Sequence, residues 1–236
     1  VTDSSVESIN DISFIGSSKG IAVTKNGHIL ITNDGVNWTK YNVSQYSNHL
    51  VAAAWSSTTN GYVVGDKGIL LKTTDGGITW NMLSIPGVNA DLTKILFKSS
   101  NDGFAIGKDG VLAITEDGGA TWDVITGQIP SNVTLTDIHF YGQQVGYLAS
   151  STGEIYKTTD GGATWFHLDV ASGRTILSTY FVNMNTGFTT GNNAVVKKTR
   201  DGGLTWELVV PADAANAHGS LRLHANIPTM PENGVG

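Results

Sequence analysis

The chain has 236 residues, 40% of them hydrophobic, enough for a sizeable core in one large β domain or two small ones. Only 14% are charged and 29 are glycine, a balance that suits a turn-rich β protein and excludes a disordered or mainly helical one. The net charge is −6 and the arginines are only Arg174, Arg200 and Arg222, so the surface lacks the basic footprint that nucleic acid requires. Without cysteine there is no disulfide and no thiolate metal ligand. No run of 18 apolar residues occurs, so no membrane-spanning helix is expected.

From the N-terminus onward the chain repeats itself. Trp38, Trp80, Trp122, Trp165 and Trp206 are spaced by 42, 42, 43 and 41 residues. An earlier aromatic runs in phase as Phe14, Trp55, Phe97, Phe140 and Phe181. A glycine follows each of these: Gly20, Gly61, Gly103, Gly146 and Gly187. The first unit, about 9–44, passes through the turn Lys25-Asn26-Gly27 and ends on the irregular segment Thr32-Asn33-Asp34-Gly35-Val36-Asn37-Trp38. There Asn33 or Asp34 must supply the carboxylate or its substitute. The second unit, 45–86, turns at Asp66-Lys67-Gly68 and ends on Thr73-Thr74-Asp75-Gly76-Gly77-Ile78-Thr79-Trp80.

The third unit, 87–129, shows the pattern most clearly. Thr93–Phe97 and Gly103–Gly107 read as short apolar strands joined to a third, Val111–Ile114, by the hairpin turn Lys108-Asp109-Gly110. The turn Thr115–Thr121 then leads into a fourth strand, Trp122–Ile125. The fourth unit, 130–170, repeats this with Ser151-Thr152 and Asp160. The fifth, 171–210, does so with Asn192-Asn193 and Asp201. Four short strands every forty-odd residues is the period of a propeller blade. No sustained 3.6-residue apolar pattern appears. Only Ala212–Ala217 reads as a possible helical turn. In 211–236, Ser220–Leu223 and Asn233–Val235 resemble the opening strands of a sixth unit. The expectation is one all-β domain over 1–236, a β-propeller of four-stranded antiparallel blades, five complete and a sixth partial. An open arc would expose sheet edges. Either a longer protein or another chain or domain is therefore expected to cover the open edge.

The recurring Thr-x-Asp-Gly-Gly-x-Thr-Trp turn resembles the Asp-box, or bacterial neuraminidase repeat. The blades as a whole resemble repeat proteins of the photosystem II stability and assembly factor type. The resemblance implies a structural turn on the face away from the ligand site. Asp34, Asp75, Asp117, Asp160 and Asp201 would accept backbone N–H bonds, while Trp38, Trp80, Trp122, Trp165 and Trp206 pack between blades, each burying about 150–250 Å². Each box offers only one or two carboxylates, too few for Ca²⁺, so no metal is expected.

Propeller ligands usually enter at the channel mouth, here formed by about 43–49, 85–92, 127–136, 169–176 and 211–220 together with the second-to-third strand turns. The residues expected to meet a ligand are Lys25, Lys67, Lys108, Arg174 and Asn193. No catalytic residue and no cofactor is expected. A sialidase requires three converging arginines and a Tyr–Glu pair, and neither can be read from this sequence. Asp91, Asp137 and Glu7 lie near first-strand starts and leave a glycosidase carboxylate pair open as the alternative. The favoured reading is a non-catalytic recognition or scaffolding propeller for a protein or glycan, exported or at the cell surface. A bacteriophage surface protein is the other alternative. Assembly factors of the resembled type present an arginine patch that this chain lacks.

Overall fold

The computed structural model describes residues 7–43, 49–168, 170, 174–192 and 196–209. Within them the chain forms five antiparallel sheets, each with its four strands in sequence order. Blade one holds β1 (Ile9–Ile15), β2 (Lys19–Thr24), β3 (His28–Thr32) and β4 (Trp38–Asn42). Blade two holds β5 (Leu50–Trp55), β6 (Gly61–Gly65), β7 (Leu70–Thr73) and β8 (Asn81–Leu83). Blade three holds β9 (Leu92–Phe97), β10 (Gly103–Gly107), β11 (Leu112–Thr115) and β12 (Asp123–Val124). Blade four holds β13 (Leu135–Tyr141), β14 (Val145–Ser150), β15 (Ile155–Thr158) and β16 (Phe166–Leu168). Blade five holds β17 (Ile176–Phe181), β18 (Gly187–Gly191), β19 (Val196–Thr199) and β20 (Glu207–Leu208). A 3₁₀ turn is present at Asp66–Gly68. Trp122 precedes β12 instead of opening it, because its ring turns inward from the end of the box. Residues 210–236, with the expected strands Ser220–Leu223 and Asn233–Val235 and the helical turn Ala212–Ala217, lie outside the described residues.

The second strand of each blade is covered on both faces. β6 and β10 are buried along their whole length, which is why they read as continuous apolar runs and not as alternating strands. The in-phase glycines have a steric cause. Gly103 pairs with Phe97 across the sheet, and the Phe97 ring lies over it, so an added Cβ would sit 2.6 Å from the ring. Gly20, Gly61, Gly146 and Gly187 lie under Phe14, Trp55, Phe140 and Phe181 in the same way.

The core is divided among the joints between blades. Trp80 packs with Ile21, Ile29 and Ile31 of blade one, and Trp122 with Tyr62 of blade two. Each box therefore rests on the preceding blade. At the joint of blades two and three, Tyr62 stacks on Phe97 at 4.2 Å and Phe97 meets Trp122 edge-on at 6.2 Å. Box glycine Gly119 has φ +69° and lies against Tyr62, where an added Cβ would sit 2.8 Å from the ring. The aromatic sandwich recurs as Phe104–Phe140–Trp165 and as Tyr147–Phe181–Trp206. Inner strands follow one another as β1, β5, β9, β13 and β17, and the sheets do not close into a ring among the described residues. Trp80, Trp122 and Trp165 are buried at 7%, 4% and 6% exposure, whereas Trp38, with no described blade before it, is half-buried.

This asymmetry can be measured. Trp122→Ala should cost about 3–5 kcal/mol, the range for a large aromatic truncated in a core. Trp38→Ala should cost clearly less. Equal losses in denaturant unfolding would contradict the one-sided packing.

Candidate functional site

At the mouth, the turns of the first three blades carry the expected lysines. Lys25 is exposed in the β2–β3 turn, and its backbone N–H donates to the Ser8 carbonyl at 3.1 Å. Lys67 takes up φ +57°, and its backbone N–H donates to Asp91 Oδ1 at 2.8 Å. The Lys108 ammonium donates to Asp91 Oδ2 at 2.6 Å. Asp91 is held below its ordinary value first by the Lys108 hydrogen bond and then by the Lys67 N–H. His49 Nδ1 lies 2.9 Å from Asp66 Oδ1. Asp91 thus ties the turns of blades two and three together and engages Lys108. The side chains of Lys25 and Lys67 have no hydrogen-bond acceptor among the described residues. Arg174 is exposed just before β17. Asn193 lies outside the described residues.

The channel wall holds a second constellation. Three residues before each inner aromatic stand Asp11, Ala52, Lys94, Asp137 and Ser178. Lys94 of blade three reaches past blade two to Asp11 of blade one, 3.3 Å from each carboxylate oxygen. Asp11 Oδ2 also accepts the Ala53 N–H at 3.1 Å. Asp137 Oδ2 accepts the Ser178 hydroxyl at 2.8 Å and the Thr179 N–H at 2.9 Å. Burial raises the Asp137 pKa, with the Lys94 charge the foremost opposing cause. The inner strands turn a free edge to the channel, and these carboxylates satisfy N–H groups along it. Nothing in the sequence pattern pairs Asp11 with Lys94, although the aromatic register already places them on equivalent positions.

The carboxylates left open for glycosidase chemistry are all engaged. Glu7 accepts from Lys40 at 2.5 Å and lies 2.8 Å from His28 Nδ1, while Asp91 and Asp137 are bound as above. A Tyr–Glu contact that the sequence does not reveal is present: Tyr156 Oη donates to Glu154 Oε2 at 3.0 Å. Burial, and next the Glu154 contact, push this phenol up, which keeps it a neutral donor. Arg200 of the fifth box pairs with Glu207 of β20, at the opposite end of blade five from Arg174. His139 is a strand residue that meets Tyr180 edge-on at 4.9 Å, its Nε2 3.2 Å from the Phe181 carbonyl. Burial lowers its pKa.

The box carboxylates close their own turns. Asp117 Oδ1 accepts the Ala120 and Thr121 N–H groups, each at 2.9 Å, and Oδ2 accepts the Thr121 hydroxyl at 2.6 Å. Asp75, Asp160 and Asp201 bind Thr79, Thr164 and Thr205 likewise. In the irregular first box Asp34, not Asn33, does this work, accepting the Val36 and Asn37 N–H groups at 2.9 and 2.7 Å. Threonine hydroxyl and amide donors hold all five carboxyls low, to about 2 at Asp117 and Asp201. No group of three His, Asp or Glu able to hold a metal ion occurs among the described residues.

The family model of the photosynthesis system II assembly factor YCF48 matches residues 2–85, 36–168 and 125–209. No curated protein matches the chain by sequence. Among solved structures, YCF48 bound to D1 peptide is similar with a TM-score of 0.53 and 19% identity, over 92% of this chain and 86% of that one. YCF48 from Cyanidioschyzon merolae gives 0.51 and 16%, over 90% and 87%. A GH74 enzyme from Niastella koreensis gives 0.68 and 16%, over 85% of this chain but 38% of its own. At such identities the likeness is one of fold. The expectation of an extracellular, cell-surface or virion protein is corrected by the family match, since the matching family is described by photosystem II assembly and not by export or a virion. Missing cysteine and a box-type turn do not report a compartment.

Two outcomes follow from this geometry. The box carboxyls have lowered folded-state pKa values, so the unfolded chain takes up protons first as pH falls. Their stabilisation is complete above the unfolded value near 3.8 and is lost as pH drops towards about 2. Unfolding free energy should therefore decline through that acid window, and Asp117→Asn should flatten the decline. Lys94→Met should destabilise by about 2–4 kcal/mol, less than a fully buried pair because Lys94 keeps some solvent, by leaving Asp11 uncompensated. Adding Asp11→Asn should recover part of the loss. An additive double-mutant cycle would contradict the coupling.

Proposed function

The chain belongs to the family of the photosynthesis system II assembly factor YCF48, and from that premise we propose a non-catalytic propeller that holds an extended peptide of a partner protein at its channel mouth. Residues 1–236 act in this reading as one propeller domain. The observation that carries it is the fixed mouth of blades one to three. Asp91 pins the Lys67 backbone and the Lys108 side chain, while Lys25 and Lys67 point exposed ammonium groups outward. A mouth ordered before binding loses less entropy when a peptide arrives. A relative of the same family has been solved bound to D1 peptide. The cationic contacts here come from lysine, which meets peptide carboxylates and carbonyls as a point charge without the bidentate fit of arginine.

The test is fluorescence anisotropy with labelled D1 peptide and the whole chain. Binding should be observed, weaken with salt, and fall by about tenfold or more, ~1.4 kcal/mol, in the double variant Lys25→Glu/Lys67→Glu. No binding of D1 peptide would sink the peptide reading, and retention of a glycan instead would replace it. Binding unchanged in the double variant would move the site away from the mouth.

A further inference from the structure

The four joints share one contact at the box end. A lysine of the earlier blade donates to the carbonyl of the first box glycine of the later blade. Lys19 reaches Gly76 at 2.5 Å, Lys72 reaches Gly118 at 2.7 Å, Lys98 reaches Gly161 at 2.7 Å, and Lys157 reaches Gly202 at 2.8 Å. Lys72 and Lys157 stand on third strands, whereas Lys19 opens β2 and Lys98 lies in the β9–β10 turn. The joints differ along the inner strands. The residue before the inner aromatic is Ser13, Ala54, Leu96 and His139 in blades one to four. Two residues earlier stand Asp11, Ala52, Lys94 and Asp137. Of these four strands, each followed by a later blade, β13 alone combines an imidazole with a carboxylate.

His139 stands in the seam between β13 and β17. Its Nε2 donates to the Phe181 carbonyl at 3.2 Å, which fixes the neutral tautomer and leaves Nδ1 without a proton. Tyr180 meets the ring edge-on at 4.9 Å, and Phe181 lies nearly parallel to it at 6.5 Å. Asp137, on the same strand, is already engaged by the Ser178 hydroxyl and the Thr179 N–H. The Thr179 and Thr189 hydroxyls of this joint are buried with no hydrogen-bond partner among the described residues. The other ionisable groups around the seam are few. Lys94 of β9 acts on Asp137, Tyr147 of β14 stands across from His139, and the Lys157 ammonium lies over the Tyr147 ring. Tyr180 comes from β17, while β10 and β18 bring none. Burial pushes Tyr147 up to about 12, so it stays neutral, and the two lysines oppose any further positive charge.

We propose that His139 makes the fourth joint acid-sensitive, so that mild acid charges the imidazole and loosens blade five from blade four while the earlier joints hold. The added proton brings a second N–H and a full charge into a seam whose carboxylate is already committed. The second joint has no counterpart, because Ala52 and Ala54 pack there with Ile95 and Phe97. Burial lowers the His139 pKa, opposed by the Phe181 carbonyl and the Asp137 charge. The unseated imidazole therefore takes up its proton first. The seat is complete above the ordinary value of 6.5 and loses stability as pH falls below it. Asp137 acts in the opposite sense. Burial raises its pKa, so the seated form is protonated first and stability is regained as pH falls through that titration. The loosening is confined to the window between the two, above the range in which the box carboxyls titrate. This inference is independent of the peptide reading.

Hydrogen exchange of the whole chain, read by mass spectrometry and corrected for the intrinsic pH dependence of exchange, tests it. Between about pH 7.5 and about pH 5.5, opening of β17 and β18 should rise by about threefold or more, while β9 and β10 of blade three stay unchanged. His139→Gln keeps a donor for the Phe181 carbonyl and cannot be charged in this range, so it should abolish the response. His139→Leu, which copies Leu96 of blade three, should do the same should the glutamine variant fail to fold. The His139 ring resonance, assigned by its loss in a folded variant, should titrate below 6.5. A ring that titrates at or above that value would overturn the proposal. So would a pH response shared equally by blades three and five, or one that persists in a folded variant.

Discussion

A single four-stranded blade cannot bury both of its faces, so the seating of each Asp-box on the blade before it governs the rest of the molecule. The seat has three parts. An aromatic of the earlier blade lies against the inner aromatic of the later one, as Tyr62 does on Phe97. The box tryptophan closes the sandwich edge-on. A lysine donates to a box carbonyl at the seat, as Lys72 does to Gly118. At blades two and three the Tyr62 hydroxyl donates to the same carbonyl. An unpaired carbonyl there would cost about 1–3 kcal/mol, enough to explain why a lysine is found for it at every joint.

These seats are not equivalent. Blade five turns Thr179 and Thr189 towards blade four, and both hydroxyls are buried without a hydrogen-bond partner among the described residues. The corresponding positions of blade four are Ile138 and Leu148, which fill the joint with apolar surface. The Lys197 ammonium in the same joint finds the Val170 carbonyl. The fourth joint therefore gains less from apolar burial than the first three. Blade five is the element most dependent on whatever else contacts it.

How legible each feature was depended on whether its chemistry is tied to one position. The five tryptophans and the glycines under the inner aromatics could be read directly, because only glycine fits beneath a ring such as Phe97. The carboxylate of each regular box was legible from its fixed place in the turn, whereas in the shortened first box Asn33 and Asp34 both fitted and the hydrogen bonds of the fold single out Asp34. The joint lysines were not, because Lys19 and Lys98 replace Lys72 and Lys157 from different positions and so leave no fixed spacing. At the mouth, hairpin lysines look alike in sequence. Only the fold brings Asp91 onto Lys108 and the Lys67 backbone, separating a lysine that holds the loops from those that face outward. Compartment was not written in residue spacing at all.

The polar groups thereby divide into two ends with different freedom. At the box end, every box Asp and each of the four joint lysines is committed to a backbone or side-chain partner, and any change there alters the seat of a blade. Along the channel, Asp11 and Asp137 are committed to strand-edge N–H groups, so they are acceptors in use and not spare carboxylates. At the mouth, charged groups such as Lys25 and Lys67 project from turns whose backbone is already fixed by other residues. There a side chain can change without disturbing the frame, which is where recognition can vary while the propeller stays the same.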